Sequence, residues 1–195
     1  LQRRIYMEII QRHVANNDSI KILRCNRVLR PICNIAESTS CFIGTDTSCE
    51  MCDAMFNKMI NFLHFPHKNI LFTDFEIVAR HSLKGVHSTE DFLEKVYKNY
   101  DYGKGVVNTI ACGLNEYSPD IRKYYGVMDS LANVSIALYD HMTSILQKHA
   151  IDMVYMFNGR VAINRPVLRS AQSLNVKAVC LEYAIQRNKF TQFIN

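Results

Sequence analysis

Residues 155–166, YMFNGRVAINRP, gather Asn158, Gly159 and Arg160 in one turn and set Arg165 beside Pro166 a few positions later. An amide both donates and accepts, a glycine takes positive φ or lets a ligand approach the backbone, and a guanidinium offers a planar fork to carboxylate or phosphate. Glu182 closes the next apolar run and is the acid that could face them. Together these types make one wall of a binding site. The plainer reading is an Asn-Gly turn with a solvated Arg160 salt-bridged to Glu182.

A second set of chemistry-bearing residues lies upstream. Cys25, Cys33, Cys41, Cys49 and Cys52 fall close together, and Cys49-Glu-Met-Cys52 has the two-residue gap that turns two thiolates onto one metal ion. Cys25, Cys33, Cys49 and Cys52 could close a tetrahedral structural zinc site, with Cys41 as the spare or in place of one of them. Buried reduced thiols are the competing reading, because Cys25 ends an apolar run and a second CxxC is lacking. "DYGKGVVN", 101 to 108, carries two glycines around Lys104 but lacks the phosphate-loop spacing, so it reads as a flexible loop. His64 and His67 flank Phe65-Pro66 with no third ligand near and read as loop histidines.

These residues need elements to hold them. Ile5, Ile9, Ile10 and Val14 recur at helical spacing, and "SIKILRC", 19 to 25, reads as a short buried strand. An irregular, Cys-rich excursion occupies 26–48, and "CEMCDAMFNKMINFL" resumes helical spacing. "HKNILFTDF" reads as a second strand. Ser88 or Thr89 caps a helix over 88–100, and Ser118-Pro119 opens a long helical stretch that could hinge near Gly126. The C-terminal third alternates strand (151–157), turn, helix (164–175) and strand (176–183). Two apolar runs joined through a helix make a β-α-β unit with parallel, neighbouring strands. An α/β sheet covered by helices fits the whole pattern. Ligands of such sheets settle at strand carboxyl ends, where Asn158 to Arg160 fall.

The chain has 195 residues, 48% of them hydrophobic, enough for one domain with a substantial core. It opens at Leu1, which fits a fragment of a longer protein. No apolar run approaches the roughly 20 residues that cross a bilayer, so a cytoplasmic protein is expected. The amphipathic start, with Arg3, Arg4 and Arg12, could rest on a membrane surface. A formal charge of +5 without a basic block argues weakly for nucleic acid. Seven cysteines, an odd number without a secretory signal, argue against a disulfide scaffold.

The segment 151–187 resembles the strand–FNGR–helix–strand–Glu segment of bacterial capsule and surface polysaccharide biosynthesis proteins, glycosyltransferases of the two-Rossmann-domain (GT-B) type. The matching positions are Asp152, Phe157 to Arg160, Arg165-Pro166 and Glu182. The match covers about a fifth of the chain, and a looser likeness runs upstream through the long helix and the Cys-rich stretch. Where the family more often has a Gly soon after the Glu, this chain has "EYAI".

The resemblance implies that 1–195 is a Rossmann-like N-terminal half, facing a sugar or glycolipid acceptor at the inner side of the membrane. A nucleotide-sugar donor would bind mostly through a C-terminal half beyond this chain, leaving the isolated chain inactive. The implied reaction is glycosyl transfer with no metal at the reaction centre, a base deprotonating the acceptor hydroxyl. Glu182, His81 and His87 are the candidates for that base.

The alternative class is a zinc-stabilised α/β module that binds nucleic acid or a protein partner without catalysis. A hydrolase or response-regulator domain ranks last, since no Gly-x-Ser-x-Gly elbow and no acidic cluster after the first strand is present. The donor sugar, the acceptor and the stereochemical outcome are not encoded in any recognisable motif.

Overall fold

The computed structural model describes residues 2–30, 33, 46–78, 83, 86–114, 119–183 and 190–194. In chain order these form α1 (Gln2–Ala15), β1 (Ile22–Cys25), α2 (Asp46–Phe62), a 3-10 turn (His67–Asn69), β2 (Ile70–Thr73), α3 (Thr89–Leu93), α4 (Tyr102–Leu114), α5 (Ile121–Lys148), β3 (Met153–Phe157), α6 (Arg165–Ser173), β4 (Lys177–Tyr183) and β5 (Phe190–Ile194). The class is mixed α/β. None of the described helices is long and apolar enough to cross a membrane.

The four helices that lead into parallel strands end alike. After α1, the Asp18 N–H reaches His13 C=O at 3.0 Å and the Asn17 N–H reaches Val14 C=O at 3.0 Å. The same pair of bonds follows α2 at His64 and Phe65, α5 at Ala150 and Ile151, and α6 at Asn175 and Val176. This double closure satisfies the last orphan carbonyls and needs one residue in the left-handed region. Asn17, His64, Ala150 and Asn175 occupy it at φ 62, 48, 47 and 56°.

Among the described residues the strands pair less extensively than the single parallel sheet that the sequence suggests. Among the described residues they fall into two sheets, a parallel β1–β2 pair and a three-stranded sheet of order β3-β4-β5. The β-α-β reading holds: β3 and β4 are parallel neighbours, Met153 opposite Lys177 through Phe157 opposite Leu181. A further strand, β5, pairs antiparallel with β4, Glu182 facing Thr191. Short apolar runs announce strands but carry no information about which edges meet.

α5 is the spine of the core. Leu131, Ala132, Val134, Ile136 and Leu138 are all essentially buried, so the helix is covered nearly all round in its middle. α4 and α6 pack on it. It runs unbroken through Gly126, the single long helix rather than two hinged there, and an added Cβ at Gly126 would meet open space. Asp120, accepting from the Arg122 N–H at 3.1 Å, is its N-cap, while the expected cap Ser118 lies outside the described residues.

Two further expectations are corrected. The helix over 88–100 is only α3; its Ser88–Asp91 capping box is intact, but Tyr97 and Tyr100 then exchange reciprocal backbone bonds of 2.8 Å in a tight turn. Tyr97 Oη at 2.9 Å and Lys98 Nζ at 2.7 Å both bond Asp140 on α5, and these contacts outweigh helix propensity. The supposed flexible loop 101–108 is the start of α4. Gly103 is there because a Cβ would lie 1.8 Å from the Phe92 carbonyl oxygen; its glycine marks close packing rather than a turn.

Candidate functional site

The turn after β3 is tightly specified. Asn158 takes φ 42°, donates its N–H to the Leu181 carbonyl at 3.0 Å and accepts the Arg160 N–H on Oδ1 at 2.9 Å. The asparagine thus works locally, closing the turn on itself while stitching it to β4. Gly159, at φ 74°, is buried; a Cβ there would stand 2.9 Å from Leu168 Cδ2 and 3.2 Å from Cys180 Sγ. Neither residue is simply a ligand donor.

Beyond the turn, α4 carries the loop. Asn108 Nδ2 donates to the Arg160 carbonyl at 3.4 Å. The buried Thr109 hydroxyl accepts the Ala162 N–H at 2.8 Å and donates to the Gly105 carbonyl at 2.9 Å. Val161 and Ala162 are buried, so the chain dips into the core and re-emerges at α6.

Arg160 projects from this support, its side chain 64% exposed, and its Nη2 meets Glu182 Oε1 at 2.5 Å, Glu182 being 25% exposed. At that exposure the pair contributes at most about 1 kcal/mol to stability. It uses one guanidinium nitrogen and one carboxylate oxygen. Among the described residues no hydrogen bond is made by the remaining guanidinium N–H groups or by Glu182 Oε2, so donors stand beside an acceptor, a pattern that would suit vicinal hydroxyls or an anion next to a hydroxyl.

Arg165 does not join that rim. Its Nε and Nη2 hold Asp101 Oδ1 and Oδ2 at 2.8 and 2.5 Å, and Arg169 grips the same two oxygens at 2.8 Å each. Arg165 and Asp101 are only 13% and 15% exposed. Burial alone would raise the Asp101 carboxyl, but the hydrogen bonds and charges of the two guanidiniums outweigh it and hold the group well below the usual carboxylate range. Arg165 is therefore a clamp between α4 and α6. Asn164, before α6, makes no side-chain cap, and its Nδ2 is buried without a partner among the described residues.

His87 is exposed, and its backbone N–H donates to Asp91 Oδ2 at 3.2 Å at the start of α3. His81 and the spare Cys41 lie outside the described residues. Of the zinc candidates, Cys49 is buried in the first turn of α2, and Cys25, Cys33 and Cys52 are half-buried. Burial pushes the Cys25 and Cys52 thiols up, and each feels the Cys33 thiol. Among the described residues no group of three or more His, Cys, Asp or Glu side chains is arranged to hold a metal ion.

Asp101, Asn108, Thr109 and Arg169 escaped the sequence reading. Their roles depend on contacts across 52 to 68 positions, for which a single sequence offers no local signal.

No protein-family model matches the chain, and neither a curated protein nor a solved structure matches it.

Proposed function

We propose that this chain is the acceptor-facing domain of a GT-B-type glycosyltransferase that builds cell-surface polysaccharide, working in the cytoplasm at the inner face of the membrane. The observation that carries the reading is the Arg160–Glu182 pair at the carboxyl edge of β3 and β4, the Arg160 head exposed on the turn after β3 and the Glu182 carboxylate partly buried near the end of β4. Strand carboxyl ends are where α/β sheets take ligands, and a guanidinium beside a carboxylate suits a hydroxylated acceptor. In this reading the two sheets belong to one Rossmann-like layer, and the nucleotide sugar binds mainly to a second domain.

Glu182 accepts a hydrogen bond from the acceptor hydroxyl, while Arg160 fixes the carboxylate and faces the developing negative charge. Of the proposed bases, Glu182 alone has a described contact with Arg160.

The test is transfer of radiolabelled sugar from a panel of nucleotide sugars to membrane-derived acceptors by the complete protein of the parent reading frame. Arg160→Ala is expected to lower transfer at least about tenfold while the circular dichroism stays unchanged. Full transfer by that variant removes the turn from the site.

A further inference from the structure

Lys104 brings a third cation to the Asp101 cluster. Its Nζ stands 3.9 Å from Asp101 Oδ2, the same oxygen that Arg165 Nη2 and Arg169 Nη2 hold at 2.5 and 2.8 Å. Among the described residues Asp101 is the only carboxylate in contact with any of the three. One negative charge thus serves three positive heads, and the cluster keeps an excess of two. Like charges gathered this closely repel unless a second anion shares them.

Hydrogen-bond donors remain to receive that anion. Arg165 spends Nε–H and one Nη2–H on Asp101, which leaves three of its five N–H groups. Arg169 spends the same two and a third on Gln172, which leaves two. Lys104 Nζ is too far from Asp101 for a hydrogen bond, so its ammonium protons meet no acceptor among the described residues.

The surrounding elements give the cluster an inner and an outer side. Tyr100 is wholly buried beneath it. Gly105 lets α4 come close there, since a Cβ would stand 3.2 Å from Arg165 Cδ and 3.4 Å from the Tyr100 hydroxyl. Side-chain exposure rises outward, from 13% at Arg165 through 29% at Arg169 to 49% at Lys104. Lys104 lies in the first turn of α4 and Arg165 opens α6, so the amino ends of two helices add their partial positive charge at the same place.

We propose that this cluster binds a phosphoryl group, free or as a monoester, on Lys104 Nζ and the outward N–H groups of Arg165 and Arg169. Such a group carries about −1.5 to −2 charges at pH 7, which matches the excess, and its several oxygens suit guanidinium forks beside an ammonium. Lys104 and its flanking glycines lack the phosphate-loop spacing in sequence; here α6 supplies the other cations across 61 and 65 positions. The site goes beyond the acceptor reading and does not rest on it, because neither Arg160 nor Glu182 takes part.

The test is amide NMR of the isotopically labelled 195-residue chain titrated with inorganic phosphate and, separately, with a hexose 1-phosphate, the free hexose and acetate. Both phosphates are expected to move the Lys104, Gly105 and Val167 signals saturably. The free hexose is expected to leave them in place, and acetate to bind at least about tenfold more weakly. Tighter binding of the hexose 1-phosphate marks a sugar ester as the source, whereas equal affinity marks a site that reads the phosphoryl group alone. Lys104→Gln is expected to weaken phosphate about tenfold and Lys104→Glu to abolish saturable shifts, with circular dichroism unchanged because Lys104 is half-exposed and outside the hydrogen-bonded clamp. Shifts that never saturate, an equal response to acetate, or undiminished phosphate affinity in Lys104→Glu would overturn the proposal.

Discussion

Asp101 and Arg165 meet in a two-pronged ion pair, Nε to Oδ1 at 2.8 Å and Nη2 to Oδ2 at 2.5 Å, that fastens the first turn of α6 to the residue preceding α4. Arg169 completes the cluster from one turn further along α6 and passes its own Nη1 to Gln172 at 2.6 Å. Removing one partner of a buried charge cluster costs more than the cluster contributes, because the others are left desolvated and unpaired. Asp101→Asn is expected to destabilise the fold by about 3 kcal/mol. Urea unfolding followed by circular dichroism measures this, and an unchanged midpoint would show that water satisfies both arginines.

The same carboxylate sets a pH dependence. Its folded pKa lies below the unfolded value of about 3.9, so its contribution to stability is present above that value and is lost as pH falls toward the folded one. Thermal midpoints measured from pH 6 downward should fall most steeply below about pH 4. In Asp101→Asn that acid limb should flatten relative to the parent chain.

Thr109 is the only described group that receives the Ala162 N–H. Thr109→Val keeps the shape and strands a buried donor, which is expected to cost about 1–3 kcal/mol, whereas Thr109→Ser keeps the acceptor and stays within about 1 kcal/mol of the parent. Faster hydrogen exchange at the Ala162 amide in the valine variant is the matching local readout. Equal stability of the two variants would mean that the contact carries no weight.

Left-handed positions make opposite predictions at two sites. Ala150 ends α5 at φ 47° with no side-chain reason to be there, so Ala150→Gly is expected to stabilise by about 1 kcal/mol. Gly159 is left-handed and also packed against Leu168 and Cys180, so Gly159→Ala is expected to destabilise by about 1–2 kcal/mol. Differential scanning calorimetry of both variants reads the two signs.

Much of this arrangement is visible in the sequence wherever the cause is local. The apolar spacing of Ile5, Ile9 and Ile10 marks α1, the Ser88–Asp91 capping box marks the start of α3, and the alternation after Ile151 marks the β3–α6–β4 unit. The pairing of Arg160 with Glu182 is also foreseeable, since both lie at the ends of neighbouring strands. What fails is whatever depends on distant contact. Gly103 and Gly105 look like loop residues, yet they are small because Phe92 and Arg165 press against α4. Arg165 looks like a second cation for a ligand, yet Asp101, 64 positions away, takes it. The strand β5 follows residues 184–189, and its pairing with β4 has no turn signature that a reading of the chain could use.

The central claim is that the Arg160 turn holds a saccharide acceptor, and amide NMR on the 195-residue chain tests it directly. Titration with capsular oligosaccharide fragments is expected to move the Asn158, Gly159 and Arg160 signals saturably, with little response to nucleotide sugars and loss of the effect in Arg160→Ala. If no fragment moves those signals, or if Arg160→Ala binds the fragments as the parent does, the acceptor site is not there.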